Sequence, residues 1–302
     1  MSVVVFGSIG MDLTTYTPRL PKPGETLFGS SFITGPGGKG FNQAVAAGRI
    51  GGDTRFIGRL GQDAFGESVL AFIANEPIDT SGIVLDSNND TCLAVISVDE
   101  QAENSIIVIS GANMALDENE VNRCVAALET AKVLLLQIET PLEISLAAAR
   151  EARARGVTVV FDPAPARALP DEAYQLADIM TPNEVETEML VGILPTNEAE
   201  ARQAAGILRE RGVGTAVIKL GSAGVYFESA NESGFVSPFS VNAIDTVAAG
   251  DAFNGGLGVA LSEGKSLAEA IRWGAAAGAL ATTKAGASSA MPHREELIAL
   301  LG

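Results

Sequence analysis

The 302 residues suffice for one large α/β domain or two small ones, with a substantial core. Hydrophobic residues at 47% and charged residues at 19% exclude a disordered chain. A formal net charge of −17 argues against nucleic acid and anionic membrane surfaces as partners, although a nest of backbone N–H groups can still hold a nucleotide. The single histidine, His293, argues against His-cluster metal sites and a Ser-His-Asp triad. Cys92 and Cys124 form no CxxC pair and no disulfide framework, which points to a reducing compartment. The segment Met1–Gly7 lacks the pattern of a signal peptide, and Ala275–Ala281, between Arg272 and Lys284, is too short to span a bilayer. A soluble cytoplasmic protein is expected.

In chain order, Val3–Phe6 reads as a buried strand ending at Gly7. From Asp12 to Thr34 the text turns to short strands, Thr14–Thr17 and Ser30–Ile33, around Pro21-Lys22-Pro23-Gly24. A helix is predicted over Asn42–Ile50, a short strand over Arg55–Ile57 and a helix over Ala64–Ala74. Thr91–Val98 and Ser105–Ile109 form a hairpin pattern linked by Asp99–Asn104. Beyond Gly111 the alternation is regular. Helices are predicted over Glu118–Leu128, Leu142–Arg155, Glu184–Val191 and Ala199–Arg211. Strands are predicted over Val133–Ile138, Val157–Phe161, Asp178–Met180, Thr215–Leu220 and Phe235–Val241. Two Ala/Gly-rich helices follow near Asp251–Leu261 and Leu267–Ala281, and His293–Leu300 closes the chain. Strands alternating with amphipathic helices imply a mainly parallel sheet covered on both faces. The β excursions at about 12–34 and 91–109 read as lid strands inserted into one domain, 1–302.

Ligands of open α/β sheets sit beyond the carboxyl ends of the strands. Those ends carry Gly7-Ser8 and Asp12, Glu139, Asp162, Asn183, Gly221-Ser222 and the stretch Asp245–Asp251. So many polar groups at one edge suggest a single active-site rim.

Two segments carry chemistry. In Asp245-Thr246-Val247-Ala248-Ala249-Gly250-Asp251-Ala252-Phe253-Asn254-Gly255-Gly256 small residues make a tight turn into a helix. First-turn N–H groups stabilise an anion there, and Asp251 can take the proton of an attacking hydroxyl. Standing alone, Asp251 reads first as a helix N-cap, and the full twelve-residue segment reverses that. The second segment is Gly35-Pro36-Gly37-Gly38-Lys39-Gly40-Phe41-Asn42-Gln43-Ala44. Its literal GxGxxG lacks the preceding βαβ strand and the acidic residue of a dinucleotide site, and GxxxxGK[ST] is absent. It reads better as a glycine floor for a small polyol, with Lys39 and Asn42 supplying hydrogen bonds.

GGKGFNQA and DTVAAGDAFNGG resemble the two diagnostic motifs of the PfkB-type carbohydrate kinases, in the right order and at the right distance. GSIGMD, PKPGETL, NQAVAAGR, SGAN, LLQIETP, DPAPAR, TPNEVE, LGSAG and TKAGA extend the resemblance from about Val3 to Pro292, along the ribokinase branch of that family. The resemblance implies a ribokinase-like three-layer α/β/α fold, with a mainly parallel central sheet and a small β-sheet lid. It implies ATP-dependent phosphorylation of the primary hydroxyl of a sugar, with Asp251 as general base and Ala248, Ala249 and Gly250 as the anion hole. Asp12, Gly37, Gly38, Lys39, Asn42 and Glu139 would hold the sugar, and Ala94 and Ile96 would line the pocket from the lid. Asn183, Lys219, Gly221, Ser222, Gly224 and Gly250 would line the ATP site, and Glu186 would belong to its Mg²⁺ region. Asp245, with the carbonyls of Val247, Ala281, Lys284 and Gly286, would ring an activating monovalent cation, usually K⁺. Ala290 stands where that ring often has Ser. A homodimer through the lid is implied as well.

Structural roles stand beside these. Asn183-x-x-Glu186 is a helix capping box, and Thr140-Pro141-Leu142-Glu143 reads as another, with Pro at N1. Asp162 before Pro163 is readable as a turn residue, and His293 as a helix start. Ribokinases read GSxNxD where this chain has Gly7-Ser8-Ile9-Gly10-Met11-Asp12, so Gly10 replaces a sugar-holding amide. Loss of one neutral hydrogen bond weakens a preference by about 0.5–1.5 kcal/mol. D-ribose is the expected sugar, with 2-deoxyribose or another sugar or nucleoside of the family as the alternative. A catalytically silent sugar or nucleotide sensor is the non-enzymatic reading.

Overall fold

The computed structural model describes residues 2–101 and 103–302. Met1 lies outside them, as do Ala102, in the expected 99–104 turn, and the side chain of Asn104. The chain runs β1 (Ser2–Phe6), β2 (Gly10–Tyr16), β3 (Ser31–Gly37), α1 (Lys39–Arg49), β4 (Asp53–Gly61), α2 (Ala64–Ile73) and β5 (Ile78–Asp86). Next come β6 (Cys92–Val98), β7 (Asn104–Ile109), α3 (Glu118–Leu128), β8 (Ala131–Leu136), α4 (Leu142–Ala154), β9 (Thr158–Phe161) and α5 (Asp171–Leu176). The remainder is β10 (Ile179–Met180), α6 (Glu184–Val191), α7 (Glu198–Glu210), β11 (Thr215–Lys219), β12 (Val225–Glu228), β13 (Ser233–Val236), α8 (Ala249–Ser262), α9 (Leu267–Ala281) and α10 (Arg294–Leu301).

One nine-stranded sheet has the order β13-β12-β11-β10-β9-β8-β1-β4-β5. Neighbours from β5 to β11 are parallel, and β12 and β13 are antiparallel. The pleat explains the near-continuous apolar strands. Val3 and Val5 of β1 and Val133 and Leu135 of β8 face one core with α1, α8 and α9. Val4, Phe6, Leu134 and Leu136 face the other, with α3, α4 and α7. A sheet buried on both faces needs apolar residues at every position, not at alternate ones.

β1 lies between β4 and β8, so chain order runs outward in both directions from it. That is a topological switch point, where the carboxyl ends of parallel strands leave a crevice. Over it stands a separate four-stranded sheet, β3-β2-β6-β7. β2 pairs with β6 in parallel, Asp12 opposite Ala94 and Thr14 opposite Ile96.

Several expectations need correction. The strand predicted over Phe235–Val241 is Ser233–Val236, and residues 237–241 leave the sheet to wall a cavity. Thr140 does not cap α4: the N-cap is Pro141, and the Thr140 hydroxyl bonds Ser145 Oγ at 2.8 Å. β5 escaped the sequence reading because Asp79, Thr80, Ser81 and Gly82 break its apolar run, as an edge strand permits. Among the described residues no helix is long and apolar enough to cross a membrane. Cys92 and Cys124 are both free thiols.

Candidate active site

The site begins with the entry to α1. Gly38, its N-cap, has φ 95°, open to glycine without strain. A Cβ on Gly40 would come within 2.7 Å of the Ser8 nitrogen and 2.8 Å of the Gly7 backbone, so α1 starts directly against the end of β1. Its first N–H groups find partners there. The Lys39 N–H donates to Glu139 Oε2 (3.0 Å), the Gly40 N–H to Ser8 Oγ (3.3 Å) and the Phe41 N–H to the Ser8 carbonyl (2.9 Å). Ser8 Oγ in turn donates to Glu139 Oε2 at 2.5 Å. Glu139 thus places a carboxylate at the positive end of α1, where anions are stabilised.

α8 arrives from the opposite side. A Cβ on Gly255 would stand 2.5 Å from Ala46 Cβ, so this glycine lets α1 and α8 touch. That contact carries Asn42 and Gln43 to Asp251. Asn42 Nδ2 donates to Asp251 Oδ2 (3.0 Å), and Gln43 Nε2 donates to Oδ1 (3.1 Å). The N-cap of α8 is Ala248, held in the left-handed region at φ 57°, and no side chain caps the helix. Asp251 is therefore not a cap; it faces the interior at 4% exposure. Ala249 N–H reaches the Thr246 carbonyl (3.3 Å) and Ala252 N–H the Ala248 carbonyl (2.9 Å). Among the described residues the N–H groups of Gly250 and Asp251, between them, meet no acceptor in the turn before α8.

The electrostatics follow from this crowding. Burial pushes the Asp251 carboxyl up to about 6; Lys39 pulls it back, Asp162 raises it, and the Asn42 and Gln43 bonds lower it. Burial and then Glu139 raise Asp12, on β2, to about 6 as well. Lys39 is opposed by burial, yet Asp251, Asp162, Glu139 and Glu186 together hold its pKa above the usual lysine value. Burial first, then Asp162, raises the Glu186 carboxyl, with Lys219 opposing. The half-buried Lys39 charge thus acts on four carboxylates at a distance, with no ion pair within 4 Å to any of them among the described residues.

Asp12 lies against the glycine floor, since a Cβ on Gly37 would meet its carboxylate at once. Cys92, Ala94 and Ile96 of β6 share the Asp12 face of the small sheet by register. The Cys92 thiol is pushed up to about 11 by burial and the Glu139 charge, Asn113 opposing and Asp12 adding. A Cβ on Gly10 would lie 2.5 Å from the Cys92 carbonyl oxygen and 2.7 Å from Cys92 Cβ. The space where a side chain at position 10 would lie is filled by β6.

Beyond α8 a cavity of about 750 Å³ is lined by Asn183, Lys219, Gly221, Ser222, Gly224 and Gly250. The sequence reading missed its remaining walls, among them Pro238, Phe239, Phe253, Gly278, Ala279 and Thr282. The i, i+3, i+4 spacing of small residues at Ala275, Gly278 and Ala279 was their signal. Asn183 caps α6 with its side chain on the Glu186 N–H (2.9 Å), and Glu186 Oε2 accepts the Asn183 N–H (2.8 Å). Asp245 joins two loops: Oδ1 accepts the Val247 N–H (3.0 Å) and Oδ2 the Gly286 N–H (2.9 Å). The Ala281 carbonyl accepts the Lys284 N–H (3.3 Å). Ala290 is buried and offers no side-chain oxygen.

The chain's own geometry thus sets a carboxylate between a polar floor and an open helix N-terminus. Residues 1–294 match the family model of the pfkB family carbohydrate kinases. The chain belongs to the pfkB family. Among relatives of this pfkB family chain, a ribokinase of Haemophilus influenzae is 44% identical over 300 residues, covering 99% of this chain and 98% of the relative. A deoxyribokinase of Salmonella typhi is 32% identical over 297 residues, covering 98% and 97%. A structure of Arabidopsis thaliana ribokinase complexed with ribose and ATP superposes with a TM-score of 0.93 at 33% identity, covering 99% of this chain and 98% of that one.

Proposed function

We propose that this carbohydrate kinase transfers the γ-phosphoryl group of ATP to the primary hydroxyl of D-ribose, giving ribose 5-phosphate and ADP, with Asp251 as the base. The observation that carries this is the buried Asp251 carboxylate, fixed by Asn42 and Gln43 beside the unfilled N–H groups of α8. As the sugar oxygen attacks phosphorus, its proton passes to Asp251 while the bond to the leaving ADP oxygen breaks. The turn Ala248-Ala249-Gly250 and the α8 dipole stabilise charge on the moving phosphoryl group.

The residues present fit the groups this chemistry needs. Asn42 Oδ1 is buried without a partner among the described residues and can accept from a sugar hydroxyl. Asp12, Lys39 and the Gly37-Gly38 backbone would complete the sugar contacts, Glu139 would face them, and Ala94 and Ile96 would cover them from the small sheet, acting as a lid on a single domain, 1–302. The cavity suits a nucleoside triphosphate in volume, with Lys219, Gly221, Ser222 and Gly224 along it. Mg²⁺ bound with ATP would supply charge neutralisation at the phosphates; Glu186 and Asn183 would face it, a sparse carboxylate set suited to a hydrated, phosphate-bound ion. Asp245 draws together the loops whose Val247, Ala281, Lys284 and Gly286 carbonyls would hold K⁺. The free thiols accord with a cytoplasmic setting.

The deoxysugar reading has one observation in its favour: β6 closes on Gly10 and leaves no side-chain donor there. An ADP-release assay across ribose, 2-deoxyribose, fructose and nucleosides, with and without K⁺, tests both. Ribose is expected to give the highest kcat/KM, with a rate rise on adding K⁺. Absence of ADP release with every sugar tried would leave the sensor reading instead.

With Asp12 and Asp251 both raised to about 6, the acid limb of kcat/KM is expected near pH 6 and steeper than one proton. The same two groups bind protons more tightly folded than unfolded. Their contribution to stability is therefore greatest below about pH 4 and is lost as pH rises through about 6. A pH–rate series beside a pH–Tm series measures both; a limb below pH 5 would contradict the burial argument.

The face of the small sheet opposite Asp12 turns an apolar surface to solvent, with Phe32 67%, Ile107 64% and Ile109 48% exposed. Burying such a patch and its free strand edges against a second copy would form a homodimer through this sheet. Light scattering is expected to give the mass of two chains; a monomer at tens of micromolar would count against it.

A further inference from the structure

The transfer step above leaves one buried carboxylate, Asp162, without a task; it is joined to Gln43, which already holds Asp251. Asp162, at the carboxyl end of β9, is 2% exposed and Gln43 is 1% exposed. A turn-forming Asp bonds nearby backbone N–H groups. The Asp162 carboxylate instead meets two distant side chains. Its Oδ2 accepts from Gln43 Nε2 at 2.9 Å, and its Oδ1 lies 3.4 Å from Lys219 Nζ. The same Gln43 nitrogen donates to Asp251 Oδ1 at 3.1 Å, so one amide joins two carboxylates. Gln137, itself fully buried, donates to Gln43 Oε1 at 2.7 Å, which turns the Gln43 NH₂ toward the acids. Lys219, on β11, borders the nucleotide cavity; its ammonium lies 3.2 Å from where a Cβ on Gly250 would stand and 5.9 Å from the Phe253 ring centre. A connected path therefore runs from the cavity through Lys219, Asp162 and Gln43 to Asp251.

We propose that Gln43 and Asp162 are positioning residues for phosphoryl transfer, holding the Asp251 carboxylate in place and making its basicity depend on whether Lys219 is paired with Asp162 or with a nucleotide phosphate. The inference rests on the reading of Asp251 as the base. With the nucleotide pocket empty, the Lys219 charge offsets that of Asp162. A polyphosphate in the cavity competes for the ammonium, and Asp162 then acts on Asp251 with only the Lys39 charge, shared among four carboxylates, still offsetting it. A nearby like charge favours the protonated carboxyl, so Asp251 becomes a stronger base when the donor is bound. Lys39, from α1, faces Asp251 with the opposite effect, while Glu139 and Glu186 act on Lys39. The sugar proton still ends on Asp251.

The test uses Asp162→Asn and Gln43→Met, with kcat and kcat/KM measured from about pH 4.5 to 8.5. Asp162→Asn is nearly isosteric and keeps the hydrogen-bonding shape. It is expected to move the acid limb to lower pH by more in kcat, where the donor is bound, than in kcat/KM for the sugar at low donor concentration. Gln43→Met is expected to lower kcat by about 10–100-fold with the sugar KM within about twofold, since misplacing a reacting group acts on the transfer step. A limb that does not move in Asp162→Asn, or that moves equally in both profiles, overturns the proposal even if Gln43→Met fails to fold. The parent reading fails separately: near-normal turnover in Asp251→Asn removes the base, whereas an inactive Asp251→Asn beside an unmoved Asp162→Asn profile removes only this inference.

Discussion

Asp251→Asn is expected to lower kcat by about 10²–10⁴, the usual worth of a general base, with little change in sugar affinity. The amide preserves the shape of the carboxylate and can still meet Asn42 and Gln43 after reorientation, so the α1–α8 contact through Gly255 should survive. What it cannot do is accept the hydroxyl proton. The same change removes a buried charge whose ionisation opposes folding, because burial raises the Asp251 carboxyl to about 6. The variant should therefore be more stable than the parent at pH 7, by an amount on the order of 1–3 kcal/mol. Single-turnover rates, sugar titration calorimetry and Tm at pH 7 measure the three parts. Turnover within tenfold of the parent would remove Asp251 from its role.

Asp12→Asn should act at the other end of the pocket, and on binding. A hydrogen bond to a charged group contributes roughly 1.5–3 kcal/mol, so the sugar KM is expected to rise about 10–150-fold. The effect on kcat should be within a few-fold, because Asp12 sits on the small sheet against Gly37, away from α8. The acid limb should also become shallower, since one of the two groups near pH 6 is gone. An unchanged sugar KM would place the sugar elsewhere.

The architecture was legible because alternating apolar strands and amphipathic helices leave few alternatives. Rim residues such as Glu139, Asp162 and Asn183 follow strand ends and could be read from that alone. What the sequence concealed were relations between distant segments. Glu139 holds the Lys39 N–H, 100 positions away, and Gln43 reaches Asp162, 119 away. Neither pairing leaves a local trace. β12 was hidden by its four-residue length and its reversal at Gly224. Small residues of α9 served as a cavity wall but looked like helix packing, because Ala and Gly suit both. Asp251 standing alone looked like a cap; the full Asp245–Gly256 segment reversed that reading, and the left-handed Ala248 takes the N-cap position.

The close approach of Gly10 to Cys92 bears on how the sugar preference of this chain can change over time. Any side chain at position 10 collides with the β6 main chain, not with a movable tip. An amide at that position therefore cannot be regained by one substitution; β6 and its partner β7 must first move outward as a pair. Descendants of this chain would more readily alter selectivity at the β6 positions on the Asp12 face, Ala94 and Ile96, than at Gly10. The spacing of two strands thus acts as an evolutionary ratchet on the substrate.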